Sequence, residues 1–278
     1  MGSPSLRAAF PTMPRCELLE LQHVWRQRYR ATHRMVMPRL AWHQPGSVWA
    51  MDHTHPPEPV DGVYPSILCV RDLASGMQLA WQPVPDETAA TTIRIVESLF
   101  TAHGPPLVVK SDNGPAFKDH DFIKLLKRHR VVPLRSPPRT PRYNGSCEAT
   151  NGHGKIRTQH FAQRHCHGHW TSTAVEAARQ QANELLRPQG YLAPTPSQRW
   201  AAHMPITEEQ RDTLAQTIAA KNPQVQQLTS PQKLPTLNQQ CRFFRAAVRL
   251  ALLDLGLLTI TTRSITPPFI LKKRAKIS

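Results

Sequence analysis

Between residues 48 and 134, short apolar segments alternate with longer amphipathic ones in a set order. Three strand-like segments come first, followed by a helix, a fourth strand, a second helix and a fifth strand. Strands that follow one another directly favour antiparallel pairing, whereas strands joined through a helix favour parallel crossovers. The sequence therefore predicts an α/β fold in which a mixed five-stranded sheet is flanked by helices.

The spacing of apolar residues places each predicted element. The predicted strands are 48–54, 67–70, 77–84, 107–109 and 131–134. The predicted helices are 16–34, 87–102, 119–130, 172–186 and 206–220, with one from Cys147 onward and another around 242–250. Two linkers are predicted, a Pro-marked one before residue 48 and a Gln/Pro-rich one over 222–235. Two further short strands, 259–262 and 269–273, are predicted to form a small hairpin.

Basic residues are concentrated at the two ends of the chain. The formal net charge of +16 divides into +5 for residues 1–47, +2 for 48–220 and +9 for 221–278. Such a chain favours an acidic partner, of which nucleic acid is the commonest, although basic flanks can also be solvated tails. We predict a basic N-terminal helix and linker at 1–47, a catalytic core at 48–205 and a small basic α+β extension at 206–278.

No apolar run reaches the roughly 20 residues that a membrane span requires. The longest candidate, 250–260, is interrupted by Asp254. Charged residues also interrupt the first twenty positions, so a secretory signal is not expected. We therefore expect a protein of the cytoplasm with no membrane partner.

Three acidic residues stand apart by their position. Asp52 interrupts an otherwise apolar strand, Asp112 follows the fourth strand and opens a Ser-Asp-Asn-Gly-Pro turn, and Glu148 lies at the start of a helix. A carboxylate in an apolar strand is costly unless it is paired or binds a metal, and ligands gather at the strand ends of α/β sheets. If the first and fourth strands are neighbours, Asp52 and Asp112 meet, with Glu148 added from a flanking helix.

Three carboxylates without nearby Cys or His ligands favour a hard divalent cation, Mg²⁺ or Mn²⁺. Two such ions can activate the attacking oxygen and stabilise the leaving oxygen of a phosphodiester. Taken singly, each acid also has a structural explanation. Asp52 would then be a hydrogen-bond partner at a strand end, Asp112 a turn former and Glu148 an ordinary surface acid.

A structural zinc site is a separate alternative, in a loop that is rich in possible ligands. No second Cys/His pair has the spacing of a zinc finger, so a polar loop that faces DNA is the competing interpretation. The residues of this loop are His160, His165, Cys166, His167 and His169.

Three segments resemble the motifs of the integrase catalytic core, which retroviral integrases share with bacterial insertion-sequence transposases. They are Trp49–Thr54, Lys110–Phe117 and Asn144–Glu148. Between the second and third acids lie 35 residues, which is the interval of the family's D,D(35)E signature. The resemblance covers residues 40–205.

The resemblance implies a ribonuclease H-like fold and two divalent ions, Mg²⁺ or Mn²⁺. Asp52 and Asp112 would jointly hold one ion, and Glu148 would complete the second site. The implied reaction is DNA end cleavage by water, followed by strand transfer in which the freed 3′-hydroxyl attacks target DNA.

The resemblance also implies residues that contact DNA or shape the active-site loops. Lys155, seven residues after Glu148, matches a position that contacts DNA ends. Asn113 and Gly114 shape the loop around the second acid, and Gly145 belongs to the mobile loop before the third. The other implied DNA contacts, on the approach to the third acid, are Arg135, Arg139, Arg142 and Asn144.

Two features depart from the family. About 47 residues precede the predicted core, too few for the domain that reads transposon ends in full-length relatives. Gly152 and Gly154 are expected to weaken the helix after Glu148, each by about 1 kcal/mol relative to Ala. Specific end recognition is therefore expected to need a separate domain or subunit.

The sequence predicts a metal-dependent transposase or integrase that binds double-stranded DNA as a homo-oligomer. A bacterial protein of this kind is expected in the cytoplasm, associated with the nucleoid when DNA is bound. Two alternatives remain at this point. One is a non-catalytic DNA-binding remnant with the same fold, and the other is a nuclease of the ribonuclease H-like fold without strand transfer.

Overall fold

The computed structural model describes residues 3–137, 145–166, 168–227 and 236–265, which contain seven strands and ten helices. The strands are β1 Met35–Trp42, β2 Val48–Thr54, β3 Ser66–Asp72, β4 Gln78–Val84, β5 Val108–Ser111, β6 Val132–Arg135 and β7 Leu258–Ile265. The helices are α1 Ser3–Ala9, α2 Arg15–Thr32, α3 Ala89–His103, α4 Pro115–Lys118, α5 His120–Arg128, α6 Gly145–His165, α7 Ser172–Glu184, α8 Pro196–Ala201, α9 Glu208–Gln227 and α10 Leu237–Asp254.

Five strands form a mixed sheet in the order β4-β3-β2-β5-β6. The strands β2, β3 and β4 pair antiparallel, because short connections join them in chain order. The pairs β2–β5 and β5–β6 are parallel, since helices lie between these strands along the chain. This arrangement confirms the predicted mixed five-stranded sheet, in which β2 is the strand where antiparallel pairing gives way to parallel pairing.

Helices cover both faces of the sheet. Trp49 of β2 belongs to one buried cluster, together with Val96 of α3 and Leu126 of α5. Ile67 of β3 belongs to a second buried cluster, which includes Ala162 of α6. Because alternate side chains of a strand point to opposite faces, the apolar residues of the central strands supply both clusters.

The β3–β4 hairpin closes around a buried carboxylate. Asp72 accepts hydrogen bonds from the backbone N of Gly46 at 2.9 Å and from the backbone N and Oγ of Ser75 at 2.7 and 2.6 Å. Burial raises the pKa of the Asp72 carboxyl, and the hydrogen bonds from Ser75 and Gly46 oppose that shift. Asp72 thus joins the hairpin turn to the segment that leads into β2.

Helices α9 and α10 pack against each other within the compact unit Ala41–Thr259, which also contains the sheet. The guanidinium of Arg211 in α9 donates to the carbonyl oxygens of Pro105 and Pro106 at 2.6 and 2.8 Å. Part of the predicted C-terminal extension is therefore anchored to the core. The second compact unit contains the described residues of Met1–Leu40 and Ile260–Ser278.

The predicted linker before residue 48 contains an additional strand, β1, which pairs with β7. Pro38 lacks a backbone donor and so weakens the strand pattern, but a two-stranded sheet has only edge strands, where proline is tolerated. The strand predicted at 259–262 is present within β7, with β1 as its partner. The other half of the predicted hairpin, 269–273, lies outside the described residues.

The predicted linker over 222–235 is wrong over its first six positions, because α9 continues to Gln227. Glutamine is a good helix former, so a Gln-rich segment can continue a helix even where it contains a proline. Residues 228–235 lie outside the described chain. No helix in the described ranges combines the length and the hydropathy that a membrane span requires.

Candidate active site

Asp52 within β2 and Asp112 directly after β5 follow paired positions of two adjacent parallel strands. Met51 of β2 pairs with Ser111 of β5, and each acid is the next residue along its chain. Both acids are half-buried. The strand pairing thus brings together two of the three carboxylates that the sequence singles out.

Helix α6 is tied to Asp52 by a residue that the sequence analysis did not identify. The Nδ2 of Asn151 donates to Oδ2 of Asp52 at 2.9 Å, and Asn151 is buried. Asn151 is three residues after Glu148, so the contact lies within one helical turn of the third acid. The i, i+3 spacing from Glu148 is the sequence signal that was available for Asn151. The backbone of Glu148 lies in the first turn of α6, and its side chain is outside the described atoms.

The turn after β5 is held by hydrogen bonds from the residues that follow Asp112. The backbone N of Gly114 donates to Oδ1 of Asp112 at 2.9 Å, and Nδ2 of Asn113 donates to the carbonyl oxygen of Ser136 at 2.8 Å. A Cβ added to Gly114 would lie 3.1 Å from Oδ1 of Asp112, which leaves little room for a larger residue. The turn therefore fixes the direction of the Asp112 carboxylate.

A histidine beside Asp52 connects the first two sequence motifs through the opposite face of the sheet. The ring of His53 stacks on Phe117 with 5.0 Å between the ring centroids. Burial lowers the pKa of His53, an effect that the nearby Glu87 and Asp112 oppose. The ring therefore packs against Phe117 of α4 on the face of the sheet opposite to Asp52.

Two of the predicted DNA contacts lie in described elements near the acid pair. Arg135 ends β6 opposite Ser111, and so lies beside the strand end that leads into Asp112. Lys155 is half-buried in α6, seven residues after Glu148. Arg139, Arg142 and Asn144 lie outside the described residues, and Gly145 is the first residue of α6.

Among the His, Cys, Asp and Glu side chains that the structure describes, no three converge as a metal site. The zinc alternative therefore has no support from the described part of the His-rich loop. His160 and His165 lie in α6, so the predicted loop is wrong at these two positions. After the helix, Nδ1 of His169 lies 3.3 Å from Oε1 of Glu58, and Sγ of Cys166 lies 3.5 Å from Oγ1 of Thr171. His167 lies outside the described residues.

The two glycines of α6 have different surroundings. A Cβ added to Gly154 would lie 2.1 Å from Cη2 of Trp81 in β4, whereas nothing lies within 4 Å of the corresponding position at Gly152. Gly154 therefore allows α6 to approach the sheet closely. Helix propensity alone predicts that both glycines weaken α6, because this tertiary contact has no signature in the sequence.

Comparison with known proteins gives a family match over the segment that contains both aspartates. Residues 42–141 match the model of the family described as the integrase core domain. The chain is 31% identical over 113 residues to an uncharacterized protein of Caenorhabditis elegans. It is 28% identical over 151 residues to the Pol-related polyprotein of a mouse intracisternal A-particle.

These two alignments cover 41% and 54% of this chain but only 9% and 15% of the relatives, so the chain spans a small part of either one. A chain in the cryo-electron microscopy structure of a simian T-cell lymphotropic virus intasome, in complex with the PP2A regulatory subunit B56 gamma, is 20% identical with a TM-score of 0.51. That match covers 75% of this chain and 74% of the other. It confirms the predicted ribonuclease H-like fold.

Proposed function

We propose that this chain is a DDE-type transposase or integrase that cleaves DNA ends and joins them to target DNA, because residues 42–141 match the integrase core domain family. The observation that carries the proposal is the pairing of β2 with β5, which sets Asp52 beside Asp112. The bond from Asn151 to Asp52 adds α6, and with it the backbone of Glu148, to the same end of the sheet.

The donor chemistry fits Mg²⁺ or Mn²⁺. Carboxylate oxygens are the ligands that these hard cations prefer, and two half-buried carboxylates on adjacent strands repel each other unless positive charge lies nearby. We propose that Asp52 and Asp112 share one ion and that Glu148 completes a second site. When bound, such ions activate the attacking oxygen and stabilise the leaving oxygen of a phosphodiester.

The protein's own residues orient these ligands and bind the substrate. Asn151 fixes the rotation of the Asp52 carboxylate, and the Asn113–Gly114 turn does the same for Asp112. Guanidinium and ammonium groups near the strand ends bind phosphates and so set the position of the DNA. The proposed phosphate contacts are Arg135, Arg139, Arg142 and Lys155. Asn144 precedes the third acid in the sequence, and Gly145, predicted in the loop, is instead the first residue of α6.

The proposed partners are double-stranded DNA, further copies of the same chain and a separate end-recognition domain or subunit. Residues 48–205 would supply the chemistry, and the basic segments 1–47 and 206–278 would hold DNA. We place the protein in the bacterial cytoplasm, associated with the nucleoid while it holds DNA.

The test uses the full chain with Mn²⁺ or Mg²⁺ and duplexes that carry the inverted repeats found beside the gene. We expect joined products from the unchanged protein and at least a roughly 1000-fold lower yield from Asp112→Asn, because the variant lacks a charged ligand. Asp121→Asn, at an exposed position of α5, is the matched control and should retain full activity.

Equal joining by the unchanged protein and Asp112→Asn would show that the proposed chemistry is wrong. DNA binding without cleavage or joining would favour a non-catalytic remnant. Cleavage without any joined product would favour a nuclease.

A further inference from the structure

Two cationic residues lie one pleat behind the acid pair on the same face of the sheet. Ala50 of β2 pairs with Arg71 of β3 on one side and with Lys110 of β5 on the other. Asp52 and Asp112 lie two residues further along their chains, directly after the last β2–β5 pair, Met51 with Ser111. Because residues two apart in a strand share a face, Arg71 and Lys110 form a cationic row directly behind the acidic row.

Lys110 is a buried cation between two uncharged register partners, and it precedes Asp112 by two residues. Its side chain is 5% exposed. Its row neighbours are Ala50 and Leu134, both buried and without charge. Asp112 follows two residues later on the same strand, about 7 Å away along the chain and within reach of an extended lysine side chain. A buried ammonium group needs such a counter-charge.

Arg71 connects the same row to α6. Its guanidinium donates through Nη1 to Oγ1 of Thr150, the residue that precedes Asn151. The side chains of Arg71 and Asp52 thus contact α6 at consecutive positions, Thr150 and Asn151, one from the cationic row and one from the acidic row. The cationic row therefore contacts the helix that carries Glu148 as well as the neighbouring strands.

We propose that Lys110 is a positioning residue that acts as the internal counter-ion of Asp52 and Asp112. Its fixed positive charge limits the repulsion between the two carboxylates before divalent cations bind, so that the acid pair keeps its arrangement in the metal-free protein. The same charge repels an incoming divalent cation and weakens its binding. The inference rests on the proposed function only in taking the two acids as cation ligands.

A counter-ion and a lysine that merely fills space in the core differ in the sign of their effect on cation affinity. Loss of a space-filling lysine would lower stability and leave cation affinity unchanged or reduced. Loss of a counter-ion would lower the stability of the metal-free protein and increase cation affinity. Measurements with and without metal therefore separate the two roles.

The first experiment compares Lys110→Met, Lys110→Arg and the unchanged full chain. The control Lys118→Met makes the same replacement at an exposed position shortly after Asp112. In EDTA, we expect Lys110→Met to lower the thermal midpoint by at least about 4 °C and Lys110→Arg to recover most of that loss. In calorimetric titrations with Mn²⁺, Lys110→Met should bind roughly tenfold more tightly than the unchanged protein. Unchanged or weaker Mn²⁺ binding by Lys110→Met would overturn the proposal.

The second experiment needs neither metal nor DNA. In a double-mutant cycle in EDTA, Asp112→Asn should reduce by roughly half the loss of urea midpoint that Lys110→Met causes, because fewer carboxylates then lack a counter-charge. If Lys110→Met alone does not fold, the proposal requires that Asp112→Asn restore a cooperative unfolding transition. Additive losses, or no restoration, would contradict it. Absence of Mn²⁺ binding by the unchanged protein would count against the proposed function, while the cycle would still decide the role of Lys110.

Discussion

The amide of Asn151 on α6 holds the carboxylate of Asp52 on β2, with 2.9 Å between Nδ2 and Oδ2. This bond joins the helix that carries the third acid to the strand that carries the first. A residue that orients a metal ligand touches neither metal nor substrate. Its loss nevertheless typically costs about 10–100-fold in metal affinity or activity.

We therefore expect Asn151→Ala to reduce the rate of strand joining by about 10–100-fold while the protein remains folded. Asn151→Asp should be more harmful, because it places a second carboxylate against Asp52. Rates are measured on the same DNA duplexes, with Asn238→Ala, at an exposed position of α10, as the control. A rate for Asn151→Ala equal to that of the control would show that Asp52 is oriented by other contacts.

The two glycines of α6 form a matched pair for testing how closely the helix approaches the sheet. Gly152→Ala should stabilise the protein by about 1 kcal/mol, because its new Cβ faces open space and alanine favours the helix. Gly154→Ala should destabilise it by about 1–3 kcal/mol, since its Cβ would overlap the Trp81 ring. Urea denaturation of both variants is the measurement, and a stabilising effect at both positions would contradict the packing of α6 on Trp81.

The buried carboxylate of Asp72 gives a pH dependence whose sign is set by its raised pKa. The unfolded chain has the ordinary value of 3.8, and burial raises the pKa of Asp72 in the folded protein. The folded state therefore binds the proton more strongly, and the stability contributed by Asp72 falls as the pH rises from about 3.8 through the folded pKa. Above that value, the contribution is constant.

This prediction is checked by urea unfolding of the unchanged protein and Asp72→Asn at several pH values between 3.5 and 7. The difference in unfolding free energy isolates Asp72 from other titrating groups. We expect the advantage of the unchanged protein to shrink as the pH rises through this range. An advantage that grows with pH would mean that the hydrogen bonds from Ser75 and Gly46 outweigh burial.

Helix α10 presents basic residues on a face opposite to its packed one. Phe243 and Ala247 are buried, whereas Arg242 and Arg249 are exposed. If these arginines bind DNA phosphates, the double variant Arg242→Ala/Arg249→Ala should reduce the slope of log K against log salt by roughly 2. Fluorescence anisotropy with duplex DNA at several salt concentrations measures the slope. Arg94→Ala, at an exposed position of α3, controls for general loss of charge, and an unchanged slope for the double variant would remove α10 from the DNA-binding surface.

The central sheet was predictable because each strand carries its own pattern of apolar residues. The segments 48–54 and 77–84 become β2 and β4 almost without change, and helix α5, between β5 and β6, follows the predicted spacing of Phe122, Leu125 and Leu126. Local patterns sufficed here because the strands are buried on both faces and the connections are short.

The missed features depend on contacts between distant parts of the chain. Strand β1 is formed by pairing with β7, more than 200 residues away, and a proline within it makes the segment look unlike a strand in the sequence. The effect of Gly154 on stability depends on its close approach to Trp81, which helix propensity does not describe. The acid pair itself was predictable from Asp52 and Asp112 in their motifs, but the cationic row became visible only through the register of β2 with its two neighbours.

The parallel pairing of β2 with β5 joins residues that are 60 positions apart, as in Met51 with Ser111. A partly folded chain that has formed only the β2–β3–β4 meander holds Asp52 without Asp112. Pairings of long sequence separation form late, because the entropy of closing the loop must be overcome first. The acid pair is thus complete only when the fold is complete, so a nascent or damaged chain without the β2–β5 pairing lacks the site on which the proposed chemistry depends.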